Sequence, residues 1–310
     1  MTGYAILVLL AIVIALPWVI EQRRGEMTAK LRRDAPGHFA ELSQGMTHYE
    51  WHGPVDGNVM VMIHGLSTPS WVFTGLLRGL NMMGFRVLTY DLYGRGYSDR
   101  PRGDQDRAFF LTQLRDLLVA VGIPEDEEIC LFGYSMGGAI ATCYAAENPE
   151  RVDRLFLLAP AGMDYTPAPL LKQARISGRF GDWLWGIAGG WLLRKGAAAD
   201  ADGPTVIPDL PSRIRRELSL RGYLRSILSS ERNMLCEYLE AEHRELARMY
   251  VAVVTIWGEE DTVIPLTALG KLTQWNRDAW KLVVPGAGHA LGYTNPQEII
   301  AAVQENLREV

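Results

Sequence analysis

Ser135 stands at the centre of Gly133-Tyr134-Ser135-Met136-Gly137, between a short apolar run, Ile129 to Phe132, and a stretch of helical spacing that stops at Asn148-Pro149. That reads as strand, tight turn and helix with a serine at the apex. Two roles fit such a serine. Its hydroxyl could attack an acyl carbonyl if a neighbouring base takes the proton, or it could simply cap the helix that follows. The remaining chain has to decide between them. Two other loops, each behind a strand-like run, carry acid and base: Asp261 in Gly258-Glu259-Glu260-Asp261-Thr262-Val263-Ile264-Pro265, and His289 in Gly286-Ala287-Gly288-His289-Ala290. A third, behind Val59 to Ile63, reads His64-Gly65-Leu66-Ser67.

The elements needed to hold these loops can be traced in order. Met46 to Trp51 and Val59 to Ile63 read as strands around a Gly-Pro turn, Phe73 to Met83 as a helix closed by Gly84, and Phe85 to Tyr90 as a buried strand. Arg107 to Val121 is amphipathic and helical; Val152 to Ala159, Val251 to Trp257 and Ala279 to Val284 are further strands, and Asn295 to Leu307 is a closing helix. Strands alternating with helices imply right-handed crossovers and a mostly parallel sheet. From Pro160 to about Tyr250 that rhythm is lost. Proline-rich turns and helical stretches replace it, with Trp183, Trp185 and Trp191 close together.

The 310 residues are 48% hydrophobic and 22% charged, with a net charge of −5, enough for one large core and without the basic bias expected of a nucleic-acid partner. Cys130, Cys143 and Cys236 lie far apart and form no CxxC pair, so neither a disulfide framework nor a zinc site is suggested. Cys130 and Cys143 read as small core residues.

Together these segments resemble the α/β-hydrolase family. GxSxG between strand and helix is similar to its nucleophile elbow, His64-Gly65-Leu66 to its oxyanion motif, Asp91-Leu92-Tyr93-Gly94-Arg95-Gly96-Tyr97-Ser98 to its DxxGxGxS loop, and the Asp261 and His289 segments to its GxxDxxxP and GxGH loops. The resemblance implies an α/β fold with a mostly parallel central sheet flanked by helices and a helical cap inserted at 161–250, between core segments 46–160 and 251–310. It also implies roles. Ser135 is the nucleophile, His289 the base, Asp261 its orienting carboxylate, and the N–H groups of Leu66 and Met136 the oxyanion donors. Asp91 ties its loop by hydrogen bonds, and His64 packs beneath the oxyanion loop. The chemistry requires neither a metal nor an organic cofactor. His38, His48, His52 and His243 have no motif around them and read as surface or linker residues.

Residues 2–20 contain no charged side chain, and as a helix they rise roughly 28 Å, close to the thickness of bilayer hydrocarbon. Residues 1–24 are therefore expected to be a single-pass transmembrane anchor, and 25–45 a polar juxtamembrane linker. Arg23, Arg24, Lys30, Arg32 and Arg33 outweigh Glu21, Glu26 and Asp34 on the C-terminal flank, which places the catalytic domain in the cytoplasm. An anchored serine hydrolase with an apolar cap resembles monoacylglycerol-lipase or lysophospholipase-like members, so the expected substrate is a lipid-like ester. The alternatives are a hydrolase of carbon–carbon bonds in aromatic ring-cleavage products, which shares the triad and cap, and a non-catalytic membrane-tethered binding protein. The tryptophans of the cap could line an acyl pocket, touch the bilayer or form the cap's own core.

Overall fold

The computed structural model describes residues 2–207 and 209–308; Met1 and Glu309–Val310, at the ends of the expected anchor and second core segment, lie outside it. The chain begins with α1 (Thr2–Gln22), followed by the short α2 (Ala29–Arg33). Next come β1 (His38–Leu42), β2 (Gly45–His52), β3 (Asn58–Ile63), α3 (Thr74–Met82) and β4 (Phe85–Tyr90). Then follow α4 (Arg107–Ala120), β5 (Ile129–Tyr134), α5 (Met136–Glu147) and β6 (Val152–Leu158). Among the described residues five α-helices precede the next strand: α6 (Pro169–Ile176), α7 (Gly178–Ala201), α8 (Leu210–Leu218), α9 (Tyr223–Arg232) and α10 (Glu240–Arg248). The chain closes through β7 (Ala252–Gly258), α11 (Leu266–Trp275), β8 (Trp280–Val284), α12 (Leu291–Thr294) and α13 (Pro296–Arg308).

All eight strands form one sheet in the order β1-β2-β4-β3-β5-β6-β7-β8. β1 and β2 pair antiparallel, as do β2 and β4, and every later pair is parallel. The central strands are apolar on both faces because helices cover both. Leu131, Leu155 and Val253 meet α4, α5 and α11 on one side, while Phe132, Phe156 and Val254 meet α3 and α13 on the other.

The structure corrects three expectations. Residues 25–45 are not juxtamembrane linker throughout, since β1 lies within them and pairs with β2 in register from His38↔Tyr49 to Leu42↔Gly45. α10 falls inside the expected cap interval yet belongs to the core, its buried Leu246 sharing a cluster with Ala139 and Cys143 of α5. His48 and His243 are not surface residues; they are 2% and 0% exposed. His243 stacks on Trp275 and neither ring nitrogen has a partner among the described residues, so burial lowers its pKa to about 4 and keeps it neutral. His48 lies between Asp91 (2.8 Å) and the Pro36 carbonyl (2.6 Å).

Asp91 gathers the loop after β4. It accepts from the Ser70 amide (2.9 Å) and hydroxyl (2.7 Å), from the Tyr97 amide (2.9 Å), and from His48. Burial opposes its ionisation, but His48 and the Ser70 donors outweigh that and hold the carboxyl well below its usual range. A second buried acid, Glu217 of α8, ties the helical insertion to this loop by accepting from the Gly96 amide at 3.0 Å and pairing with Arg100 at 3.3 Å. Here burial wins over Arg100, and the pKa rises from 4.5 to about 7. A carboxyl whose native pKa is raised favours the fold most below its unfolded value, and that contribution is lost as pH climbs through 7. Glu217→Gln is thus expected to flatten the decline in stability between pH 4.5 and 7, read as the denaturant midpoint across that range. A variant that keeps the wild-type slope would assign the decline to other groups.

Candidate active site

The strand ends deliver the motif residues to one place. β5 runs straight into Ser135, whose backbone adopts φ 54° and ψ −118°, a left-handed conformation that costs free energy in any residue bearing a Cβ. The strain is held by neighbours: the Ser135 amide donates to the Leu158 carbonyl (2.9 Å), and its carbonyl accepts from the amides of Gly138 (2.9 Å) and Ala161 (3.0 Å). Gly137 makes the sharp turn possible. A Cβ at that position would lie 2.0 Å from the Ile63 carbonyl oxygen and 2.6 Å from that of His64.

Ser135 Oγ is 3.0 Å from His289 Nε2, and His289 Nδ1 is 2.7 Å from Asp261 Oδ2. Asp261 is nearly inaccessible, and its other oxygen accepts from the amides of Val263 and Ile264, both at 2.8 Å. One carboxylate oxygen is thereby committed to the loop and the other to the imidazole, which fixes ring orientation and tautomer. The Tyr134 hydroxyl donates to the His289 carbonyl at 2.5 Å, and the two rings lie 5.7 Å apart.

The expected oxyanion residues lie beside the serine. Gly65 approaches so closely that a Cβ on it would sit 3.3 Å from Ser135 Cβ, and the next residue, Leu66, lines the same cavity. Met136 opens α5, where the first amides have no acceptor within the helix. Among the described residues neither the Leu66 nor the Met136 amide has a backbone partner. His64 lies beneath this loop, as expected. Its Nδ1–H donates to the Gly65 carbonyl (2.8 Å) while Nε2 accepts from the Leu92 amide (2.9 Å), and burial lowers its pKa to about 4.

Sequence reasoning missed Arg95. Its side chain is fully buried and its guanidinium donates to the carbonyls of Leu66 (2.8 Å) and Tyr93 (2.9 Å), with Gln105 and Ser230 Oγ (2.8 Å) completing its shell. It links the oxyanion loop to α9. Its place inside the DxxGxGxS segment was visible, but its partners are far away in the chain.

Ser135 opens into a cavity of about 630 Å³ whose apolar walls include Leu171, Leu192, Leu193, Leu210, Ile214 and Leu235. The serine is only 8% exposed, because helices α6 to α8 roof the site. None of the tryptophans of this roof lines the cavity, and one belongs to the cap's own core. Trp185 is buried and donates to the Leu224 carbonyl (2.8 Å); Trp183 is half-buried against α1; Trp191 is 56% exposed, and its helix neighbours Leu192 and Leu193 face the cavity.

The model of the alpha/beta hydrolase family matches residues 60–302. A 2-hydroxymuconate semialdehyde hydrolase of Pseudomonas putida is 27% identical over 267 residues, covering 83% of this chain and 90% of the relative. Two solved structures share the fold. One is a carboxylesterase from Bacillus subtilis (TM-score 0.71, 19% identity, 95% of this chain and 98% of that one). The other is a membrane phospholipase A described as a bacterial virulence factor (TM-score 0.68, 21% identity, 99% of this chain and 97% of that one). The first mycobacterial relatives that the chain matches are uncharacterized, and it spans only 30% of their length, at 36% identity over 107 residues.

Proposed function

The chain belongs to the alpha/beta hydrolase family, and from that premise we propose that it is a membrane-anchored serine hydrolase cleaving carboxylic esters with long apolar acyl chains, such as monoacylglycerols or lysophospholipids. The observation that carries this reading is the Ser135–His289–Asp261 relay opening on an apolar cavity. His289 Nε2 takes the hydroxyl proton as Ser135 Oγ bonds to the acyl carbon. Asp261 stabilises the imidazolium, and the Leu66 and Met136 N–H groups receive the negative charge that develops on the carbonyl oxygen. Collapse of the tetrahedral intermediate breaks the ester C–O bond, and the departing alkoxide takes the proton from His289. Water, deprotonated by the same imidazole, then releases the carboxylic acid and restores Ser135.

Attachment to a bilayer is the second part of the proposal. The side chains of Ile6, Leu7, Leu9, Leu10, Ile12 and Ile14 are all at least half exposed, an apolar surface that water does not tolerate on a stable monomer. α1 is the one helix among the described residues long and apolar enough to cross a membrane. The basic residues Arg23, Lys30 and Arg33 after it, in no ion pair among the described residues, favour a cytoplasmic catalytic domain.

The relationship to the semialdehyde hydrolase favours a second reading, cleavage of a carbon–carbon bond in a carboxylated dienone. Such a substrate asks for a cation in the pocket. The one lysine or arginine among the described lining is Lys195, which is exposed with its ammonium 5.4 Å from the Trp191 ring centroid, so the cavity suits a neutral acyl chain better. The two readings separate in one experiment with full-length protein in detergent. On esters of increasing acyl length, kcat/KM is expected to climb by at most about fourfold per added methylene until the cavity is filled. Activity confined to ring-cleavage dienoates, with none on esters, would sink the ester reading.

A further inference from the structure

α1 does more than lead into the domain; it is built into the roof of the active site. Pro17 has no N–H, so the carbonyl of Val13, four residues earlier, has no partner within the helix. Trp183 of α7 supplies one, its indole Nε1–H donating to Val13 O at 2.9 Å. One turn further along α7, Gly186 lets Pro17 approach so closely that a Cβ there would lie 2.7 Å from Pro17 Cβ. A second attachment holds the end of α1 and its exit. Gly25 exchanges backbone hydrogen bonds with Ser219 (2.9 Å) and Arg221 (2.7 Å), Arg221 reaches Glu26 and the Gln22 carbonyl, and Glu21 accepts from the Gly222 amide (2.6 Å).

These contacts limit how far α1 can project. Of the described residues of α1, Thr2–Ile12 lie beyond the Val13 contact, eleven residues that rise roughly 16 Å, about half the hydrocarbon thickness of a bilayer. A crossing that uses the whole apolar length of α1 takes α7 into the near leaflet with it. α7 is dressed for that. Phe180, Ile187 and Trp191 fall on one face at helical spacing and are 59%, 36% and 56% exposed. Arg194 and Lys195 close this stretch at the end level with the exit of α1, and long basic side chains can reach the head groups from there; at the other end the exposed Asp182 pairs with Arg232 (2.6 Å). Leu192, Gly196 and Ala199 on the opposite face line the catalytic cavity.

We propose that the Val13/Pro17–Trp183/Gly186 lock seats the outer face of α7 in the hydrocarbon of the near leaflet, so that one helix thickness, about 10 Å, separates lipid from the Ser135 cavity and substrate enters sideways from the bilayer. The inference rests on reading α1 as a membrane helix and extends it to the cap. The occupant of the α7 face is lipid, because the same lock that exposes this face binds it to the apolar helix.

The test uses full-length protein carrying Cys236→Ser, which removes the one exposed thiol, and a single environment-sensitive fluorophore on Phe180→Cys, Ile187→Cys or Trp191→Cys. Val119→Cys, on the exposed side of α4, is the control. In phosphatidylcholine vesicles containing nitroxide-labelled phosphatidylcholine, the three α7 labels should lose at least half their emission and the control almost none. Labels quenched by aqueous iodide instead would overturn the proposal. Labels shielded from both quenchers would do so too, placing a second copy of the chain on α7. Trp183→Phe should reduce the lipid quenching of all three labels, and should do so less in a Pro17→Ala background, where residue 17 regains its N–H and the Val13 carbonyl no longer needs the indole. Equal effects in both backgrounds would remove the lock from the argument. Because quenching is read without turnover, it can succeed where no ester is hydrolysed and fail where esters are, which keeps this inference separable from the proposed activity.

Discussion

Ser135→Ala is expected to abolish reaction with a fluorophosphonate probe and to lower ester turnover by about 10³-fold or more, with the melting temperature unchanged or raised. The size of the effect follows from geometry. Oγ is the atom placed 3.0 Å from His289 Nε2, and without it the imidazole has no proton to take and no covalent intermediate forms. Stability should not suffer, because the hydroxyl contributes little to packing and alanine leaves the backbone bonds to Leu158, Gly138 and Ala161 intact. Probe labelling that survives the substitution would locate the nucleophile elsewhere. Loss of labelling accompanied by unfolding would give Ser135 a structural role instead.

The second large effect concerns the fold. Gly137→Ala should cost at least about 3 kcal/mol and lower Tm on the order of 10 °C, or prevent soluble expression altogether. The added methyl would meet the Ile63 carbonyl oxygen at 2.0 Å and carbon at 2.5 Å, and the His64 oxygen at 2.6 Å. These are backbone atoms of β3 and the oxyanion loop, and β3 is paired on both sides, with β4 and β5, so no side chain can swing away to make room. A thermal melt of the purified variant decides it. A wild-type Tm would mean that the elbow does not press against β3 as described, and the placement of the Leu66 amide beside Ser135 would fall with it.

Both predictions draw on residues that were legible in the sequence. The strand before Ser135 and the helix after it follow from local patterning, and the loops with Asp261 and His289 could be found because each stands at the end of an apolar run. Asp91 was readable as a loop tie because its short carboxylate sits among turn-forming glycines, and the structure adds which donors it collects. Other features lay beyond the sequence. β1 was hidden because His38-Phe39-Ala40-Glu41-Leu42 is short and edge-like, and it becomes a strand only by pairing with β2. His48 and His243 carry no local sign of burial; one is enclosed by Asp91 and Pro36, the other by Trp275 across the core. α10 has the charged, amphipathic look of a cap helix, and only its neighbour α5 assigns it to the core.

By itself the amino-acid sequence determined the order of strands and helices, the three loops that carry serine, aspartate and histidine, and an N-terminal helix too apolar for water. Each of these is set by interactions within a few residues: side-chain periodicity, glycine in tight turns, and the absence of charge along one helix. Tertiary structure alone decided that Ser135, Asp261 and His289 meet within hydrogen-bonding distance, that Arg95 braces the loop carrying Leu66, and that a carbonyl vacated by Pro17 is filled by an indole 170 residues away. Those contacts join segments far apart in the chain. Their partners are chosen by packing and by the cost of leaving a buried polar group unsatisfied, and neither is written in any local pattern.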